Sequence, residues 1–127
     1  MTTYPVTTVI ASDGMSDLIF TTSAFNDTDE DCCADISGAQ GAVELIVDMS
    51  EAKYKIDVVI KGGDGPTAGK GRKFTVPPKT CKCITVSTGE TIRSDGKLYF
   101  SMSSEGTFLM NLKPRIAVVK HRNVEMH

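Results

Sequence analysis

The feature that most constrains the fold is an alternation of apolar and polar residues with a period of two. In "YKIDVVIK", the residues Tyr54, Ile56, Val58 and Ile60 fall on one side and the polar residues on the other. Successive side chains of a β-strand point to opposite faces, so this pattern predicts a half-buried strand. Similar runs cover residues 42–49, 73–77, 97–103, 106–113 and 115–120, with further candidate strands at 6–10, 17–23 and 83–86.

Turn signals separate these runs. "SDGK" at 94–97 places an Asp-Gly pair between two strand-like runs, which predicts a β-hairpin. "SEG" at 104–106 predicts a second turn, and Pro77-Pro78 predicts the end of a strand. Many short strands with such turns predict an all-β fold, an antiparallel β-sandwich or barrel of jelly-roll or immunoglobulin-like type. The chain of 127 residues is expected to form a single domain over 1–127.

Three segments allow more than one interpretation. Residues 26–41, "NDTDEDCCADISGAQG", are acidic and end in a glycine-punctuated run, and they predict a long polar loop. The acidic residues there lack the glycine and terminal glutamate of a calcium-binding loop, so a solvated face is favoured. Residues 1–8, "MTTYPVTT", predict an extended N-terminal arm, with a frayed terminus as the alternative. Residues 42–53, "AVELIVDMSEAK", fit a helix or a strand, and the strand is favoured because the alternation is clean.

Charge and hydropathy argue against two kinds of partner, nucleic acid and the membrane. The 14 basic and 16 acidic residues give a net charge of -2, which lacks the basic excess expected of a nucleic-acid-binding protein. No stretch approaches the ~20 apolar residues of a membrane-spanning helix. The first ten residues do not resemble a signal peptide, so folding in the cytosol is expected.

The glycine-rich stretch "IKGGDGPTAGKGRKFTVPPKT" at 60–80 suggests a phosphate-binding loop. Such a loop works because backbone N–H groups converge at the start of a helix, with a lysine reaching the phosphates. Here Gly71 is followed by a strand-like run that ends in two prolines. The sequence therefore predicts a wide, glycine-bent connection between strands and no cofactor.

Four cysteines form two close pairs, Cys32–Cys33 and Cys81–Cys83. A cytosolic chain argues against disulfides. Together the four thiols are the candidate ligands of a zinc site, but structural zinc sites favour two to four residues between paired cysteines. Buried unligated thiols are favoured and no metal is predicted, with the zinc site kept as the alternative.

Nothing in the sequence indicates catalysis. His121 and His127 lie near the C-terminus, and their spacing suggests no positioned partner. A tail on or beyond the last strand is the favoured interpretation. We therefore expect no catalytic residues and no enzymatic activity.

Four pieces occur in an order that resembles a known class of proteins: "VVIKGGDG", "RKFTVPPK", "DGKLYF" and "RIAVV". Within residues 42–119 this order is similar to that of small structural proteins of tailed bacteriophages, found around head and decoration proteins. The resemblance implies a protein that binds no cofactor and catalyses nothing. It implies docking in many copies on a capsid lattice, with the major capsid protein and copies of itself as partners. The implied location is the virion, after assembly in the cytoplasm of the bacterial host.

Two other functions remain open at this stage. One is a tail or head–tail joining component, such as a tail-tube or tail-fibre module, in which the 26–41 segment is a candidate for an oligomerising hairpin. The other is a small zinc- or carbohydrate-binding β-sandwich. The zinc version needs metal at the cysteines. The carbohydrate version needs aromatic platforms, and the chain has no tryptophan.

Overall fold

The computed structural model describes residues 1–122, so His127 lies outside the described residues. Its strands are β1 (Thr2–Thr3), β2 (Val6–Ile10), β3 (Thr21–Thr22), β4 (Asp29–Asp35), β5 (Ala42–Asp48), β6 (Ile56–Ile60), β7 (Arg72–Val76), β8 (Cys81–Ser87), β9 (Lys97–Ser103) and β10 (Arg115–Arg122). Two single-turn helices, α1 (Thr88–Thr91) and α2 (Leu109–Leu112), and a 3₁₀ turn at Ala11–Asp13 complete these elements. Within the described range, no helix is both long enough and apolar enough to cross a bilayer.

The strands form two sheets that share one hydrophobic core. Sheet A has the order β1-β4-β9-β6-β7, and sheet B has the order β2-β10-β5-β8 with β3 paired to β10. Alternate residues of both sheets point into the core, among them Val58 and Phe100 from sheet A and Leu45 and Val118 from sheet B, all fully buried. The all-β class and the two-sheet arrangement agree with the prediction. Both sheets have open ends, so the barrel alternative is wrong.

The N-terminus belongs to both sheets, and the prediction of an arm at 1–8 is wrong. β1 pairs in parallel with β4, and β2 pairs in parallel with β10. Tyr4, between them, is buried at 2% exposure. Pro5 marks the crossing from one sheet to the other, where its missing N–H group removes no ladder hydrogen bond. These two parallel pairings also make the sheets mixed rather than purely antiparallel.

The prediction of a long loop at 26–41 is wrong, because these residues contain β4. This strand pairs along its whole length with β9 and alternates correctly, with Glu30, Cys32 and Ala34 buried. Asp29 and Asp35 lie on the opposite, exposed side. The alternation was hidden because an inward position is occupied by a glutamate, and because aspartate is depleted in strands.

Two further predictions are corrected by the packing. The run 106–113 was expected to be a strand, but it contains α2, whose Leu109 and Leu112 are buried at a helical spacing of three. The Asp-Gly turn at 94–97 exists, and Gly96 has a φ of 80°. It does not form a hairpin, because β8 before it lies in sheet B and β9 after it lies in sheet A.

The other strong strand predictions are confirmed, with small errors at their ends. β5, β6, β7, β9 and β10 all lie within or across the predicted runs. Tyr54 was placed on a buried face but lies before β6 begins and is 61% exposed. The candidate strand at 17–23 shortens to the two residues of β3.

Candidate functional site

The glycine-rich connection of residues 61–71 joins β6 to β7 and packs against α1. The N–H groups of Gly63 and Gly69 both donate to the carbonyl oxygen of Glu90, at 2.9 and 3.0 Å. Because these N–H groups already have an acceptor, they are not free to hold a phosphate. As predicted, a strand follows Gly71 directly, with β7 beginning at Arg72.

Close backbone contact explains two of these glycines. A Cβ atom at Gly62 would lie 2.2 Å from the carbonyl oxygen of Gly69. A Cβ atom at Gly63 would lie 2.5 Å from the carbonyl oxygen of Ile92. Any side chain at either position therefore forces the backbone apart. The glycines let the connection fold back on itself and lie flat against the α1 segment.

The structure does not bring the four cysteines together. Cys32 points into the core from sheet A, and the neighbouring Cys33 is buried beside Thr3, with its Sγ 3.4 Å from the threonine Oγ1. Cys81 and Cys83 are exposed on the outer face of sheet B. Within residues 1–122, no group of three or more His, Cys, Asp or Glu side chains is placed to hold a metal ion. The four candidate zinc ligands therefore do not form a shared site.

Instead, Cys83 belongs to a row of three polar side chains across the outer face of sheet B. Glu44 of β5 lies in the middle and accepts a hydrogen bond from His121 Nε2 of β10 at 2.5 Å. The Cys83 thiol donates to the other carboxylate oxygen of Glu44 at 3.4 Å. No sequence pattern indicated these contacts, since Glu44 and His121 are 77 positions apart.

The order of this row does not activate the thiol. A nucleophilic cysteine needs a base beside it, with the carboxylate behind that base. Here the carboxylate lies between the thiol and the imidazole. The hydrogen bond from His121 lowers the pKa of Glu44. Partial burial and the hydrogen bond to Glu44 raise the pKa of Cys83. The geometry therefore keeps the Cys83 thiol protonated.

This arrangement predicts the thiol reactivity of the native protein. With a disulfide reagent near neutral pH, we expect Cys81 and Cys83 to react and the buried Cys32 and Cys33 to react only after unfolding. Cys81 is expected to react faster than Cys83, because thiolate is the reactive form and the pKa of Cys83 is raised. Time-resolved absorbance of the released thiol separates the faster reaction of Cys81 from the slower reaction of Cys83. In Cys81→Ser the faster phase should vanish, and four thiols reacting at one rate would contradict the structure.

A second cluster surrounds the buried carboxylate of Glu30, which is 2% exposed. The Tyr4 hydroxyl donates to Oε2 at 3.1 Å, and the Ser23 hydroxyl donates to Oε1 at 2.7 Å. Burial and the nearby carboxylate raise the pKa of Tyr4. Glu30 was predicted to be solvated, and that prediction is wrong. The carboxylate joins the N-terminal segment, β4 and the residue after β3 into one unit.

The segment of residues 11–20 forms an apolar surface on the outside of sheet B. Its backbone is held at Ile19, whose N–H donates to Thr7 Oγ1 at 3.0 Å. Phe20 lies under the Arg115 guanidinium at 4.8 Å from the ring centroid. Within this segment, large side chains remain in solvent: Met15 is 87%, Ile19 48% and Leu18 44% exposed. Clustered exposed apolar residues of this kind mark contact surfaces.

Comparisons of the chain with protein-family models, with curated proteins and with solved structures find no match. The functional assignment therefore depends on the residues and their arrangement.

Proposed function

We propose that the chain is a virion structural protein of a tailed bacteriophage, a capsid decoration protein that stabilises the head. It acts without catalysis and without a cofactor, by docking on the major capsid protein and on copies of itself. Its two sheets represent a variant of the jelly-roll or immunoglobulin-like sandwich. The phage resemblance supports this proposal, since its four pieces fall on β6, β7, β9 and β10 together with their turns.

The observation on which the proposal depends most is the exposed apolar surface of the 11–20 segment. Met15, Leu18 and Ile19 lie within five positions of one another and are all at least 44% exposed. Burying apolar surface is worth roughly 25 cal/mol per Å², so these side chains supply affinity when they are covered by a partner. Tertiary contacts at Thr7 and Arg115 hold the segment against sheet B, which reduces the ordering cost of docking.

Particles of the phage that encodes this chain provide the test. Mass spectrometry of purified heads and of purified tails is expected to find the chain in heads, at a fixed ratio to the major capsid protein. Detection in tails alone would overturn the decoration role and favour the tail or head–tail joining function. Absence from all particles would overturn the virion proposal altogether.

A reconstitution experiment tests the surface itself. Purified chain is added to heads that lack it, and binding is measured by co-sedimentation. Met15→Asp is expected to weaken binding at least tenfold, because it places a charge in the apolar contact at a site too exposed to affect folding. The matched control is Met110→Asp, which changes a 41% exposed methionine of α2 and should leave binding unchanged. Equal binding by Met15→Asp and wild type would contradict this assignment of the surface.

A further inference from the structure

β8 is an open edge of sheet B, and its free side can be identified residue by residue. The Met49 N–H donates to the Thr80 carbonyl, and the Thr88 N–H donates to the Gly41 carbonyl. In an antiparallel ladder the direction of these groups alternates, so the even-numbered residues of β8 face β5. Cys81, Cys83 and Thr85 therefore direct their N–H and C=O groups away from β5. In the described part of the chain no strand pairs with that side.

The edge strand of sheet A that has five residues, β7, has features that protect it from pairing. The Lys61 N–H donates to the Tyr99 carbonyl, so alternate residues of β6 face β7 and leave Lys73 and Thr75 directed outward. Charged residues and proline at an edge oppose pairing with another strand. β7 has Arg72 and Lys73 in succession, and Pro77 after it has no N–H group to offer. Of the edge strands β7 and β8, β8 is the one without this protection on its outward-facing residues.

We propose that a second copy of this chain pairs with the β8 edge across a two-fold axis, with Cys83 opposite Cys83 of the second copy. The strands run antiparallel, so Cys81 lies opposite Thr85 of the second copy, and Thr85 lies opposite Cys81 of the second copy. Each of these three pairs exchanges two hydrogen bonds, giving about six in all. Sheet B then continues from one copy into the other. This inference depends on the self-association in the proposed function, but not on the virion location.

The side chains of β8 fit this pairing. Cys81, Cys83 and Thr85 share the outer face and are uncharged, so no like charges meet there. Lys82 points to the other face of the strand, where this register places it opposite Ile84 of the second copy rather than opposite another lysine. The same patch contacts itself across a two-fold axis, which is the usual form of a homodimer interface. The free N–H and C=O groups of β8 are therefore complementary to those of the same strand in a second copy.

A proline substitution tests the pairing without breaking sheet B. Thr85→Pro removes an N–H group that faces away from β5, so the ladder inside the chain stays complete. Sedimentation equilibrium is expected to show a dimer for wild type and at least a tenfold weaker dimer for Thr85→Pro. The control, Thr75→Pro, removes an outward N–H of β7, together with the hydrogen bond from Thr75 Oγ1 to Asp57 Oδ1, and should dimerise like wild type. Circular dichroism confirms that both variants are folded.

The register is tested with a short bifunctional maleimide and denaturing electrophoresis. Cys83→Ser should abolish the cross-linked dimer, because the two Cys81 residues lie four residue steps apart, about 13 Å along the strands. Cys81→Ser should still cross-link through Cys83. A wild-type monomer at every concentration, a Thr85→Pro dimer as tight as wild type, or cross-linking that needs only Cys81 would overturn the inference. None of these outcomes decides whether the chain is present in phage heads, so the two proposals fail separately.

Discussion

Replacing Phe100 with alanine is expected to lower the free energy of unfolding by about 3–5 kcal/mol. Phe100 is fully buried in β9, where it lies opposite Cys32 of β4 on one side and Ile60 of β6 on the other. Its ring also packs on Tyr4, with the ring centroids 5.7 Å apart. The substitution removes contacts with three neighbouring segments at once and leaves a cavity that the surrounding strands cannot fill.

The chain provides a matched control in Phe108, which precedes α2 and is 43% exposed. Phe108→Ala removes the same atoms from a half-exposed position and is expected to cost less than about 1 kcal/mol. Urea denaturation followed by circular dichroism measures both variants. Equal losses would show that Phe100 does not occupy the centre of the core, and the pairing of β9 between β4 and β6 would then be in doubt.

Phe100→Ala is also expected to destabilise the packing of the N-terminal segment. Tyr4 packs on this ring and donates its hydroxyl hydrogen bond to Glu30. If the ring is removed, Tyr4 loses the apolar contact that orients it. The N-terminal segment, which crosses from sheet A to sheet B, is therefore the part whose amide hydrogen exchange should increase most among the segments that do not pair with β9.

Strands were predictable from the sequence wherever apolar residues occupy every inward position. β5 and β9 have Val43, Leu45, Leu98 and Phe100 at such positions, all buried as the alternation requires. β4 was missed because Glu30 occupies an inward position, where its carboxylate accepts hydrogen bonds from the hydroxyls of Tyr4 and Ser23. A period of two is thus a reliable signal only when no buried polar network interrupts it.

The segment 106–113 shows the opposite failure. Phe108, Met110 and Leu112 alternate as in a strand, yet Leu109 and Leu112 are the buried residues of α2. Four apolar residues within five positions fit both periods. Here the chain crosses from β9 in sheet A to β10 in sheet B, and the helical turn of α2 forms part of that connection.

The candidate contact surfaces were less predictable than the strands, because they depend on strand order. The "CITV" run indicated a strand at 83–86, but no local pattern shows that β8 ends its sheet or that Cys81, Cys83 and Thr85 face outward. The Glu44–His121 contact likewise requires β10 to lie beside β5. Such neighbours are determined by the whole set of pairings, which short-range turn and hydropathy signals do not contain.

The proposed surfaces all belong to sheet B. The 11–20 segment lies outside β2 and β10 at one end of the strand order, whereas β8 forms the opposite edge. In the proposed assembly, one copy therefore docks through the apolar segment while its β8 edge pairs with a second copy. A lattice-bound protein needs this separation, because a shared surface would make the two contacts compete.

The second large effect is expected at the glycine-rich connection. Gly62→Ala should lower the free energy of unfolding by about 2–3 kcal/mol, because the new Cβ would lie 2.2 Å from the Gly69 carbonyl oxygen. That oxygen belongs to the backbone, so no side-chain rotation relieves the contact. The connection must open, which strains the hydrogen bonds from Gly63 and Gly69 to the Glu90 carbonyl.

Gly65→Ala, in the same connection, provides the control for Gly62→Ala. A Cβ there meets no atom within 4 Å, and Gly65 is not among the residues with a positive φ. Alanine should therefore leave stability unchanged or raise it by about 0.4–1 kcal/mol, because it restricts the unfolded chain. Thermal and urea unfolding of the two variants give the comparison. If Gly62→Ala were as stable as Gly65→Ala, the close packing of this connection against α1 would be wrong, and its glycines would again need another explanation, such as a bound ligand.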